Sequence, residues 1–202
     1  MIGINLIVAA VITAGLLGAF LLSNSTVGNL IGNVADLGIQ EMKNVSFTLS
    51  VDRHGEISFE KQKNLSIEIT GRMQGVVGDG EFESGSGASL RGFSGRGRIS
   101  DMVVLNGTVD KIEISDASLS FKAKKFDASS EFSSASVENL FLAGLRLENV
   151  TGSLNQGGTE IKFSSTTVIL EGAGGKFTFG NGLVIDGRAK KVSIPTSGIR
   201  IE

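Results

Sequence analysis

From Val45 onward, apolar and polar side chains alternate with a period of two. Val45, Phe47, Leu49 and Val51 are separated by Ser46, Thr48 and Ser50, and Leu65, Ile67 and Ile69 by Ser66 and Glu68. That period belongs to a strand with one buried face, because successive side chains leave a strand on opposite sides. The same signature recurs at Ile112/Ile114, Leu119/Phe121, Leu140/Leu142, Leu145/Leu147, Ile161/Phe163, Val168/Leu170, Phe177/Phe179, Leu183/Ile185, Val192/Ile194 and Ile199/Ile201. Gly, Asn or Asp usually stands between these pairs, which reads as turn punctuation. The pattern predicts many short strands, more than ten in all, arranged as an antiparallel β-sandwich, jelly roll, open β-roll or solenoid. It lapses only over Gly78–Gly97, GDGEFESGSGASLRGFSGRG, where a flexible loop or a run of tight turns is expected.

The first forty residues follow another rule. Ile2–Leu22 carries no charge, and its only polar side chains are Asn5 and Thr13. At about 1.5 Å per residue, 21 helical residues cross about 30 Å of hydrocarbon. A cleaved signal peptide would need a basic leader and a shorter apolar core, so the run reads as a retained signal-anchor. Val27, Leu30, Ile31, Val34 and Leu37 then recur at helical spacing, predicting an amphipathic stalk. The expected fold class is therefore mainly β with one long N-terminal α-helix: 1–40 transmembrane helix and stalk, 41–202 β-domain. Ala10, Ala14 and Gly18 recur every four residues and form a candidate helix-packing face for a protein partner or for self-association, although small residues are also common in spans generally.

A gapless internal match joins Ser94–Phe121 to Gly174–Ile201 at an offset of 80 residues, with Gly95/Gly175, Val104/Val184, Gly107/Gly187, Lys111/Lys191 and Ile114/Ile194 identical. Shared β-patterning without duplication would give a similar match. In both segments, Asn106-Gly107 and Asp186-Gly187 are expected to form type I′ hairpin turns, which need positive φ.

Composition narrows the chemistry. Nineteen Lys and Arg against 21 Asp and Glu give a net charge of -2, too little field to attract nucleic acid. The absence of Cys removes disulfides, thiolate metal sites and thiol nucleophiles. His54 is the only histidine, in Asp52-Arg53-His54-Gly55-Glu56, a turn composition that supplies neither a multi-His metal site nor a Ser-His-Asp relay. Gly174-Gly175-Lys176 lacks the earlier glycine of a phosphate loop. Asp110, Glu113 and Asp116 are near in sequence, but alternation turns Glu113 to solvent. Two small basic clusters, Lys122/Lys124/Lys125 and Arg188/Lys190/Lys191, read as solvated strand faces. The chain is expected to be no enzyme and to carry no cofactor or metal, with the lipid bilayer as its one definite partner.

Five of the 11 asparagines, Asn24, Asn44, Asn64, Asn106 and Asn149, begin glycosylation sequons, where roughly two would occur by chance. Abundant Ser and Thr in exposed strand positions raise that number too. With no charge flanking the span, the sequons alone speak for an extracytoplasmic glycoprotein domain.

Two resemblances add to this. Ile2-Gly3-Ile4-Asn5-Leu6-Ile7-Val8, leading to Ser25-Thr26-Val27-Gly28-Asn29-Leu30, resembles the helical N-termini of archaeal flagellins and type IV pilin-like proteins, which implies a filament subunit. One span followed by strands such as Val168-Ile169-Leu170-Glu171-Gly172 and Leu183-Val184-Ile185-Asp186-Gly187 is similar in layout to the membrane-anchored β-jelly-roll component of lipopolysaccharide transport, which implies a lipid-handling groove. The expected function is a single-pass, membrane-anchored cell-envelope protein whose β-domain is structural or binds a ligand.

Overall fold

The computed structural model describes residues 39–53, 55–114, 123–195 and 199–200. The span at 2–22, the stalk, Ala10, Ala14, Gly18, Asn24, His54, Asp116 and Lys122 lie outside the described residues.

The strands are β1 (Ile39–Val51), β2 (Ile57–Val77), β3 (Gly80–Ser84), β4 (Ala88–Ile99), β5 (Met102–Val109), β6 (Lys111–Ile114), β7 (Ala123–Gln156), β8 (Thr159–Phe179), β9 (Leu183–Pro195) and β10 (Ile199–Arg200). They form one ten-stranded sheet in the order β10-β8-β9-β1-β7-β5-β4-β2-β3, with β6 on β4 and further pairings of β7 with β8 and β2. This corrects the expected fold class. The described residues hold no helix, and they form one antiparallel sheet of mostly long strands where many short ones were expected. No helix among them is long and apolar enough to cross a membrane.

The difference has a specific cause. Several of the residues that punctuate the apolar pairs are bulges inside long strands. Straight, the 34 residues of β7 would reach about 110 Å, longer than a domain of this size is wide, so the strand has to bend. Six left-handed positions in the long strands share one spacing, two of them (Asn139 and Asn149) in β7: Met42-x-Asn44-Val45, Val137-x-Asn139-Leu140, Leu147-x-Asn149-Val150, Phe163-x-Ser165-Thr166, Leu90-x-Gly92-Phe93 and Leu170-x-Gly172-Ala173. In each, the outer two residues are buried and the third has φ between 50° and 65°. An extra residue in the left-handed region shifts the alternation by one, so that residues three apart both face inward. Asn tolerates that conformation better than other residues with a side chain, and Gly bears no penalty at all.

Just before the two matched segments stand equivalent bulges at Gly92 and Gly172, and within them the segments share a turn geometry: Ser100 N donates to Met102 O at 3.0 Å and Gly180 N to Gly182 O at 2.9 Å. The chain therefore reverses at these points and not at the expected dipeptides. Asn106-Gly107 lies within β5 and Asp186-Gly187 within β9. Gly107 faces Gly95 across the ladder, and a Cβ on either would come within 2.2 Å of a carbonyl oxygen on the partner strand. Glycine is required there for close backbone approach. Gly78–Gly97 is likewise no loop, since it holds β3 and most of β4. Gly97, opposite Phe59, is covered by that ring, which supplies the apolar surface a glycine strand lacks.

The chain divides into two compact units, one of Met1–Val51, Leu142–Ala173 and Asp186–Glu202, the other of Asp52–Phe141 and Gly174–Ile185. In the first, Phe47 opposes Leu154 and both are buried, with Val45, Leu49, Phe163 and Leu170. In the second, the pairings β2–β4, β4–β5, β5–β7 and β7–β2 close a ring, so these four strands leave few bare edges. Phe93 and Phe126 meet edge to face at 6.0 Å within it, with Leu65, Ile67 and Leu90 also fully buried.

Candidate functional site

The register of the second unit sets residues from five strands into cross-strand rows. One row runs Glu81, Val76, Asp127, Asn106, Arg96 over β3, β2, β7, β5 and β4. Two residues along each strand, another runs Glu83, Gln74, Ser129, Val104, Arg98 and on to Ser58 at the start of β2. Residues two apart share a face, so both rows point the same way. It is the solvent face, because every side chain in them is exposed or half-buried. The intervening row, Phe82, Gly75, Ala128, Leu105, Gly97, Phe59, turns to the other side.

These three rows line a cleft of about 1010 Å³, joined by Glu60 from β2. That volume is at the upper end of small-molecule sites. Among the lining residues on the solvent face, Val104 is 39% exposed and Val76 half-buried. Around them stand four carboxylates, Glu60, Glu81, Glu83 and Asp127, and two guanidinium groups, Arg96 and Arg98. Arg72 grips Glu83 Oε1 with Nε at 2.9 Å and Nη2 at 2.6 Å, while Arg98 Nη1 lies 3.9 Å from Glu56. Asn106 Nδ2 donates to Asp127 Oδ1. Glu60, Glu81 and Arg96 pair with none of the described residues. The arrangement can hold an apolar chain on Val76 and Val104 and a charged group beside it. Among the described residues no three His, Cys, Asp or Glu are grouped to take a metal ion.

A smaller groove of about 450 Å³ lies over Glu138–Phe141 and Gly174–Lys176. Gln62 binds the backbone of Phe141 at both ends, its Nε2 donating to Phe141 O at 2.8 Å and its Oε1 accepting from Phe141 N at 3.2 Å. Lys176 meets Glu138 at 3.0 Å, so the Gly174-Gly175-Lys176 segment lies in β8 with its lysine already paired.

Of the sequon residues, Asn44, Asn64 and Asn149 are exposed and left-handed, and Asn106 is half-buried with its amide given to Asp127. The first three explain the sequon excess by themselves. A bulge asparagine is followed by a buried apolar residue (Val45, Leu65, Val150) and then by an outward Ser or Thr, which together spell Asn-x-Ser/Thr. Glu113 does face solvent, and Lys111 binds it, holding its carboxyl below the usual range. Lys191 of the second basic cluster is engaged by Glu41 at 2.9 Å and Glu171 at 3.2 Å.

Of the cleft residues, sequence reasoning singled out Asn106 only as a sequon and turn residue and Val104 only within the internal match, yet a further signal was present. Met102-Val103-Val104-Leu105, Leu140-Phe141-Leu142, Val168-Ile169-Leu170 and Leu183-Val184-Ile185 are apolar on both faces, and the outward member of each, including Val104 and Phe141, is exposed. Each of these runs leaves an apolar side chain on the solvent face, and Val104 and Phe141 are the ones that line the two clefts. No protein-family model matches the chain, and no curated protein or solved structure shows significant similarity to it.

Proposed function

We propose that this chain is a non-catalytic binding protein of the cell envelope, held at a membrane by its apolar residues 2–22, and that it takes up an amphiphilic ligand in the cleft of the second unit. The observation that carries this reading is exposed Val104 with half-buried Val76, set among charged groups in a cleft of about 1010 Å³. Exposed apolar surface bounded by polar side chains costs stability unless it is covered, and an alkyl chain with a polar head matches both parts. The tether rests on the uncharged 21-residue run alone. The sequons lend no weight to a side of the membrane, since bulge geometry accounts for three of them.

Native mass spectrometry of the full-length protein, extracted in mild detergent, tests the reading. A bound amphiphile is expected, and Val104→Asp is expected to lose it while the fold persists. Wild-type protein carrying no adduct in any of several detergents would overturn the binding role. For the tether, deleting residues 2–22 should move the protein from the membrane to the soluble fraction, and continued sedimentation with membranes would refute it.

A further inference from the structure

We propose that the cleft selects an amphiphile with a cationic head, of the long-chain alkylammonium type, over anionic amphiphiles; this rests on the cleft being a binding site. Its four carboxylates against two guanidinium groups leave an excess of two negative charges. The excess survives internal pairing. Glu83 is neutralised by Arg72 and Arg98 faces Glu56, which leaves Glu60, Glu81 and Asp127 against Arg96 alone. Asp127 takes its hydrogen bond from a neutral amide, so its charge is undiminished.

Position adds to number. Glu81 and Asp127 flank Val76 in one cross-strand row, one strand to either side. At about 4.8 Å between strands, their backbones stand about 10 Å apart. An ammonium group over Val76 lies within reach of both carboxylates, and the alkyl chain continues across β7 onto Val104. A carboxylate, sulfate or phosphate head in that place meets two like charges. Arg96 stands two rungs beyond Asp127, at the far end of the row. A head placed there is an anion's best option, and the distribution of charge disfavours it.

Methyl NMR on the full chain in nonionic detergent tests this, with Val76 and Val104 as local reporters that are insensitive to probe uptake by the micelle. Decyltrimethylammonium and decanoate carry the same chain length and opposite heads. At low salt the ammonium is expected to shift both valines at about tenfold lower concentration than decanoate, and salt should shrink the gap. Glu81→Gln combined with Asp127→Asn should abolish the preference while leaving the remaining methyl spectrum in place, and Glu81→Gln alone, at an exposed and unpaired site, should lose part of it. Equal or tighter binding of decanoate would overturn the cation preference and leave the binding role standing. If neither probe moves these valines, the binding role fails and the preference falls with it.

Discussion

Residues 90–114 and 170–194 build the same strand, bulge, turn and strand, yet fill the space beneath them in opposite ways. In the first, Phe93 follows the bulge and position 97 is glycine; in the second, the residue after the bulge is Ala173 and the position matching Gly97 is Phe177. All three side chains are fully buried. The vacancy at Gly97 is filled by Phe59 from the neighbouring strand, since a Cβ there would stand 2.3 Å from its ring. The backbone plan is therefore set by the bulge and turn residues, while the large side chain can come from either site or from a different strand. Cores are specified by total volume and patterning more than by which position supplies the bulk.

The largest effects should follow from removing that bulk. Phe93→Ala and Phe177→Ala are each expected to cost about 3–5 kcal/mol in denaturant unfolding, because each empties a fully buried site. The idea of exchangeable bulk is sharpened by a double-mutant cycle. Phe59→Ala and Gly97→Phe should each destabilise strongly, one by leaving a cavity and the other by colliding with the Phe59 ring. Together they should cost at least about 2 kcal/mol less than the sum of the two. Additive costs would show that the ring and the glycine are not alternatives for one volume.

Why so much of the chain could be read as β, and so little of its connectivity, is visible in these same segments. Alternation identified the buried residues correctly at Val45, Phe47, Leu49, Leu65, Ile67, Leu183 and Ile185. The local sequence Asn-Gly or Asp-Gly is the same whether the glycine makes a turn or lets two backbones meet. Only the partner strand decides, and at Gly107 that partner is Gly95, twelve residues away. The punctuation at Asn139, Asn149 and Gly172 was ambiguous in the same sense, since positive φ serves a bulge as well as a turn. A buried apolar pair three residues apart marks the bulge at Asn44, Asn139, Asn149, Gly92 and Gly172, while Asn64, two residues after Gln62, lacks that mark. The cleft was less so, because its charges come from four strands whose register no local pattern fixes.

The bulges themselves test the shared plan at a smaller scale. Gly92→Ala and Gly172→Ala both force an L-residue into the left-handed region, at about 1–2 kcal/mol. The new methyl at 92 also meets Asp110, with Oδ2 at 2.4 Å and Cβ at 2.9 Å, whereas at 172 it meets Cδ and Cγ of Lys190 at 2.9 and 3.0 Å. A lysine chain swings aside more readily than a short aspartate. Gly92→Ala should therefore be the costlier of the two by about 1 kcal/mol in thermal or denaturant unfolding. Equal costs would mean that Asp110 yields as freely as Lys190.

The smallest single effect sits at the identical pair Lys111 and Lys191, on the Lys111 side. Lys111 binds Glu113 on its own strand in the open, where an ion pair is worth little, and Lys111→Met should change stability by less than about 0.5 kcal/mol. Lys191 is 23% exposed and bridges Glu171 to Glu41, whose side chain is 9% exposed. Removing the lysine strands a buried carboxylate, so Lys191→Met should cost about 1–2 kcal/mol. The Glu41 carboxylate raises the Lys191 pKa above its ordinary 10.5, burial opposes this, and Glu171 adds to the rise. A folded value above the unfolded one means the unfolded chain releases this proton first as pH rises. The contribution of Lys191 is then complete below about pH 10.5 and declines as pH climbs through the higher folded value. Urea unfolding of wild type and Lys191→Met at pH 8 and pH 11 should show the gap between them narrowing at the higher pH, and a gap that stays constant would remove the ion triad as its source.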